Sequence, residues 1–146
     1  MNEMKKNHMK LELDAVSENE SFARVAVASF FTTLDPTLEE IADIKTAVSE
    51  AVTNAIIHGY EEKGGTIFVE CSYEERNIQI QVEDKGIGID DIERAKEPLF
   101  TTKGDMERSG MGFVFMEVFM DKLEVWSEPG RGTIITMQKT LSGNKE

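Results

Sequence analysis

The sequence predicts an α+β fold: a two-layer sandwich in which a mixed, mostly antiparallel sheet is covered on one face by helices. Period-two segments come in neighbouring pairs joined by short polar turns, as hairpins do. Long segments with apolar residues at three- and four-residue spacing follow helix-start signals. Strands and helices segregate along the chain instead of alternating one for one, which argues against a doubly wound parallel sheet. With 146 residues, 40% of them apolar, the chain has the length for one domain with a real core. Residues 1–146 are read as a single unit, since no repeat, low-complexity tract or Pro- or Gly-rich linker divides them.

The segment Lys10-Leu11-Glu12-Leu13-Asp14-Ala15-Val16 alternates and reads as the first strand, behind a short basic tail containing His8. Ser17-x-x-Glu20 has the form of a capping box and opens a helix. The predicted core face of that helix is Phe22, Val25, Ala26, Ser29 and Phe30. Arg24, Val27 and Phe31 make a second stripe, read either as burial under a neighbour or as a partner surface. After Asp35-Pro36, Thr37-x-x-Glu40 opens a second helix, predicted to run to His58 and stop at Gly59 in a left-handed cap. Its buried stripe is Ile41, Ile44, Val48, Ala51, Val52 and Ala55.

Strands near Thr66–Tyr73 and Asn77–Glu83 follow around the turn Glu74-Glu75-Arg76. In the second, Ile78, Ile80 and Val82 alternate with Gln79, Gln81 and Glu83, so one face is covered and the other wet. From Asp84 to Ser109 the periodicity lapses while Gly86, Gly88, Pro98 and Gly104 collect, as in a functional loop or lid. Phe113–Met120 is apolar almost all round and predicts a buried helix. Lys122–Ser127 and Thr133–Lys139 close the chain as strands around Glu128-Pro129-Gly130-Arg131-Gly132.

Lys+Arg 16 against Asp+Glu 28 leaves a net charge of −12. Residues 1–63 and 64–146 share it equally, so the acidity is not a tail. Such a surface repels phosphate backbones and anionic lipid, which excludes direct nucleic-acid or membrane-surface binding and favours basic protein partners. The lone Cys71 sits in an alternating strand where a small core residue belongs; it is read as inert filler in a reducing cytoplasm. No apolar run approaches the ~20 residues of a membrane span, and no signal peptide is legible, so a cytoplasmic protein is expected.

Glu50 and Asn54, four apart on the second helix, share a face that is not the apolar stripe. A carboxylate there can accept a proton while the amide oxygen coordinates a hard cation such as Mg²⁺, although Glu-x-x-x-Asn also occurs on plain solvated helices. Asp84-Lys85-Gly86-Ile87-Gly88 leaves a strand with glycines that admit close backbone approach, and its Asp can accept a hydrogen bond from an exocyclic amine; an ordinary turn has the same composition. Ser109-Gly110-Met111-Gly112-Phe113 opens a helix whose free N–H groups suit phosphate. Around it, residues 94–109 hold four basic side chains, Arg94, Lys96, Lys103 and Arg108, against three acidic ones. Gly132-Thr133 starts the last strand, where a hydroxyl can reach a ligand.

In this order the segments resemble the ATP-binding fold shared by DNA gyrase, the Hsp90 chaperone, sensor histidine kinases and the MutL mismatch-repair protein, over residues of about 10 to 140. That resemblance implies ATP or ADP as ligand, Mg²⁺ at Asn54, the adenine amino group at Asp84 with Gly86 and Gly88 beside it, and phosphates at Gly110–Gly112. A sensor kinase needs a phospho-accepting histidine on a dimerisation helix, whereas only His8 and His58 are present. Ser49–Tyr60, Pro98–Lys103 and Glu107–Phe113 look very like the bacterial anti-sigma serine kinases.

The closer resemblance implies a homodimer that holds the sporulation sigma factor sigma F inactive and phosphorylates one serine of an anti-anti-sigma protein. It implies Glu50 and Arg108 as catalytic groups, Thr101, Lys103, Ser109, Met111, Gly112 and Thr133 as further nucleotide contacts, and Arg24 as the contact for protein partners. Two alternatives stay open: the related kinase of a stress-response sigma factor, and a nucleotide-gated binding module without phosphotransfer.

Overall fold

The structure, a computed structural model, describes residues 5–97 and 112–143. Five strands, β1 (Lys6–Asp14), β2 (Thr66–Glu74), β3 (Asn77–Asp84), β4 (Lys122–Glu128) and β5 (Gly132–Thr140), form one sheet of order β1-β2-β3-β5-β4. Each ladder is antiparallel, so among the described residues the sheet contains no parallel pair. Helices α1 (Glu18–Phe31), α2 (Leu38–Asn54), α3 (Ile92–Ala95) and α4 (Gly112–Phe119) complete the fold, with α2 packed against both α1 and α4.

The two expected layers follow from strand alternation. Ile67, Val69, Cys71, Ile78, Ile80, Val82, Ile135 and Met137 are buried beneath Val27, Phe31, Ile44, Val48 and Met116 of the helices. The opposite face is polar, and Gln79 and Gln81 bond across it to Gln138 and Thr136. Burial pushes the Cys71 thiol up to about 12, with Glu70 adding to the rise, so it is un-ionised core filler as predicted.

α2 begins as expected: Thr37 Oγ1 accepts from the Glu40 N–H, and Glu40 Oε1 accepts from the Thr37 N–H. Glu40 also accepts from the Ser142 N–H, the Ser142 hydroxyl and the Gly143 N–H, which ties the chain end to the start of α2. Burial alone would raise its pKa, but these hydrogen bonds outweigh it and hold the carboxyl at about 2.

Several expectations are corrected. β1 starts at Lys6, not Lys10, because the supposed basic tail pairs with β2, Lys6 opposite Glu74 and His8 opposite Ser72. His8 Nε2 lies 2.6 Å from Glu70 Oε2. Ser17 makes no side-chain cap, because its backbone is already helical and the Glu20 N–H donates to its carbonyl at 3.1 Å, while the Glu20 carboxylate pairs with Arg24 at 2.9 Å. On α1 the inward face is the reverse of the one predicted. Ala23, Val27 and Phe31 are fully buried, while Phe22 and Val25 are more than half exposed. Apolar residues run round most of α1, so periodicity does not choose a face; the small Ala23 and Ala28 let this side approach α2 closely. α4 is buried only at Phe113 and Met116, and Val118 is exposed.

Candidate functional site

The end of β3 and the end of α2 meet at Asp84. α2 does not continue as a plain α-helix to His58: Ala55–Gly59 forms a π-turn, closed by the Tyr60 N–H on the Ala55 carbonyl at 2.9 Å. Gly59 is no left-handed cap either; the positive φ values fall at Glu61 and Glu62. Its glycine is needed for proximity, since a Cβ there would lie 2.6 Å from the Asp84 carboxyl carbon. Gly86 is required for the same reason, because its Cβ would fall 1.9 Å from the Gly59 carbonyl oxygen. The Ile87 N–H donates to that oxygen at 2.9 Å and locks the Asp84–Gly88 turn onto the helix end.

Asp84 is 3% exposed. Burial pushes its carboxyl up to about 6; Gly86 and Thr133 backbone N–H groups work against the rise and Glu83 adds to it. The Gly86 N–H donates to Oδ1 at 2.9 Å and orients the group. The result is a desolvated carboxylate, ionised at neutral pH, beside a backbone stripped of side chains. An exocyclic amine is the kind of donor that would offset its desolvation.

The β4–β5 hairpin closes the far side. Thr133 stands opposite Asp84 in the ladder and is buried, with its hydroxyl 2.9 Å from Ser127 Oγ. Ser127 accepts the Ile89 N–H at 2.7 Å, and the Gly130 N–H donates to the Ile87 carbonyl at 2.7 Å. Gly88, at φ +80°, leaves no room for a Cβ against the Glu128 carbonyl. Ser127, which also donates to the Gly132 carbonyl at 2.8 Å, braces this loop through contacts between segments distant in the chain, which no local pattern discloses.

Toward the end of α2, about two and a half turns before Gly59, Glu50 faces the start of α4: a Cβ on Gly112 would lie 3.3 Å from Glu50 Oε1. Asn54, one helical turn further on, is half-buried on the same helix. The structure thus brings Glu50 to Gly112, and brings Asp84, Gly86, Gly88 and Thr133 together at the end of β3. Thr101, Lys103, Arg108, Ser109, Gly110 and Met111 lie outside the described residues. Arg24 donates to Glu20 Oε2 at 2.9 Å and to Ser49 Oγ at 3.1 Å, which ties α1 to α2 one residue before Glu50.

A family model described as a histidine kinase-like ATPase domain matches residues 13–139. An anti-sigma F factor from Clostridium acetobutylicum is 62% identical over 95% of this chain and 97% of its own length. Anti-sigma F factors from Oceanobacillus iheyensis and Bacillus velezensis are each 55% identical over 96% of this chain and 97% of theirs. Among solved structures, the RsbU and RsbW domains of Rv1364c from Mycobacterium tuberculosis superpose with a TM-score of 0.65 at 19% identity. That match covers 92% of this chain and 32% of the longer one, and it shows the shared fold. With its Asp84 turn, glycine-lined backbone and Glu50 beside Gly112, this chain belongs to the anti-sigma F factors of the histidine kinase-like ATPase domain family.

Proposed function

We propose that the protein is an ATP-dependent serine kinase and anti-sigma factor: it sequesters sigma F and phosphorylates a serine of an anti-anti-sigma protein. The carrying observation is the division of α2 and its π-turn, with Glu50 against the start of α4 and Gly59 against a buried, ionisable Asp84. Adenine at Asp84 and the γ-phosphate near Glu50 fit a nucleotide laid along this helix. The Glu50 carboxylate takes the proton of the serine hydroxyl as that oxygen bonds to the γ-phosphorus; the bond from γ-phosphorus to the bridging oxygen breaks, and ADP leaves with its electron pair. By sequence resemblance Arg108 stabilises the transferred charge, Gly110–Gly112 hold the phosphates, and Thr101, Lys103 and Ser109 make further nucleotide contacts.

Among the described residues no group of three His, Cys, Asp or Glu side chains is arranged to hold a metal. A single amide oxygen at Asn54 fits the way Mg²⁺ binds in phosphoryl-transfer sites, shared with phosphates and water. The ion supplies charge neutralisation on the phosphates.

Sigma F is favoured over a stress-response sigma factor by the names of the relatives, and the net charge of −12 suits a basic, DNA-binding partner. Arg24, beside Ser49 and the exposed Phe22 and Val25, is the proposed partner contact. No helix among the described residues is long and apolar enough to cross a membrane, in keeping with action on a cytoplasmic transcription factor.

The proposal includes a homodimer. β1 stands at the sheet edge with half-buried Met9, Leu11 and Leu13 on one side. Antiparallel pairing with a second copy, centred on Leu11, sets Lys10 against Glu12, His8 against Asp14 and Met9 against Leu13, with no like charges opposed. Centring on Lys10 or Glu12 opposes identical charges.

Incubation with γ-labelled ATP and the anti-anti-sigma protein tests the kinase. Label should appear on serine and fall roughly 10²–10⁴-fold in Glu50→Gln with nucleotide still bound. No label transfer by the natural protein refutes the kinase reading and leaves a nucleotide-gated binding module.

A further inference from the structure

The hydroxyl of Tyr60 joins three segments at one oxygen. It donates to the Thr66 carbonyl at the start of β2 at 2.6 Å, and it accepts the Lys85 backbone N–H at 2.7 Å. Tyr60 itself follows the π-turn, and its N–H closes that turn on Ala55. The ring has no freedom to swing away, because Gly65 lies against it so closely that a Cβ there would be 2.5 Å from Cε1.

Lys85 is the first residue beyond β3, and its side chain is exposed. Its N–H and the Asp84 carbonyl belong to one rigid peptide plane, so the bond to Tyr60 sets the plane from which the chain turns into Gly86. Gly132 packs on the other side of that plane, with room for no Cβ against the Asp84 carbonyl oxygen. One residue on, the Gly86 N–H orients the Asp84 carboxylate at 2.9 Å. The phenol is therefore linked to the carboxylate through two consecutive peptide planes, with one hydrogen bond at each end.

We propose that Tyr60 is a positioning residue for purine selectivity: by holding the Lys85 amide, its hydroxyl fixes the Asp84–Gly86 turn and so the direction from which Asp84 accepts a 6-amino group. This rests on Asp84 as the adenine acceptor. Neither Phe nor Leu at position 60 would replace the bridge, since one oxygen must donate to Thr66 and accept from Lys85.

The test compares dissociation constants of the full chain for ATP and for purine riboside triphosphate, which lacks the 6-amino group. The natural protein should prefer ATP by about tenfold or more. In Tyr60→Phe, ATP should weaken by roughly three- to tenfold while purine riboside triphosphate is unchanged, so the preference collapses. A general loss of structure would weaken both nucleotides together, and that outcome, or an intact preference, overturns the inference. A natural protein with no preference for ATP refutes the adenine reading and the Tyr60 inference with it. Amide hydrogen exchange in the natural protein gives a reading independent of whether the variant folds: slow exchange at Lys85 is expected despite its exposed side chain, and exchange at the unprotected rate overturns the bridge.

Discussion

Asp84→Asn should make the nucleotide-free protein more stable while making it a worse ATP binder. The carboxyl is 3% exposed, and its pKa is raised from 3.8 to about 6 by burial. At about 1.36 kcal/mol per unit, holding it ionised in the folded protein costs about 3 kcal/mol relative to the unfolded chain. Asn has the same shape and keeps an oxygen for the Gly86 N–H. Its amide N–H₂ must sit where a carboxylate oxygen sat, so the net gain at neutral pH is about 1–2 kcal/mol, or a rise of about 3–6 °C in melting midpoint. ATP loses a charge-assisted hydrogen bond worth about 1.5–3 kcal/mol, a roughly 10- to 100-fold weaker affinity.

The pH dependence fixes the sign. A carboxyl whose folded pKa lies above its unfolded value contributes stability that is complete below about pH 3.8 and is lost as pH rises through about 6. The ionisation cost falls by about 1.4 kcal/mol between pH 7.5 and pH 5, so the stability gap between variant and natural protein should be largest above pH 7 and close to zero at pH 5. Thermal unfolding at pH 7.5 and pH 5, with and without ATP, measures all of this. A variant less stable than the natural protein at pH 7.5, or a gap that does not shrink at pH 5, would refute the claim that Asp84 is held charged at a cost for the sake of its ligand.

Gly59→Ala should cost roughly 1–3 kcal/mol, because its Cβ would lie 2.6 Å from the Asp84 carboxyl carbon, and ATP affinity should fall with it; unaltered titration and melting curves would contradict the packing. Glu40→Gln should lose about 2–3 kcal/mol at neutral pH. Its folded pKa of about 2 lies below the ordinary value of 4.5, so this contribution should vanish as pH falls through that interval, and a pH-independent loss would rule out the charged clamp. For the dimer, Lys10→Glu or Glu12→Lys alone should raise the dimer dissociation constant in sedimentation by about threefold or more, and the double exchange should restore it; no rescue excludes pairing centred on Leu11. Arg24→Ala should leave ATP affinity within about threefold and weaken sigma-factor capture by about tenfold or more; the opposite pattern removes Arg24 from the interface.

Much of the site was legible because it is local. Glu50 and Asn54 share a helix face by their spacing, and Asp84-x-Gly86-x-Gly88 announces a tight turn leaving a strand whose alternation is unmistakable. The Thr37 capping box and the buried Cys71 likewise depend on near neighbours or simple alternation. Ser17-x-x-Glu20 has the right spacing but forms no box, because Ser17 is itself helical, the Glu20 N–H bonds its carbonyl and the Glu20 carboxylate bonds Arg24. A cap needs extended backbone at its first residue, as at Thr37, and the sequence pattern does not fix that conformation.

The amino-acid sequence by itself determined the element types, the acidic surface and the order in which the chemistry-bearing residues follow one another, since each depends on composition or short-range period. Tertiary structure alone decided which stripe of α1 turned inward, why Gly59 must lack a side chain, and that Tyr60 reaches both Thr66 and Lys85. Those outcomes depend on steric fit and hydrogen bonds between segments brought together only by folding, and close packing makes them sensitive to single atoms that no periodicity records.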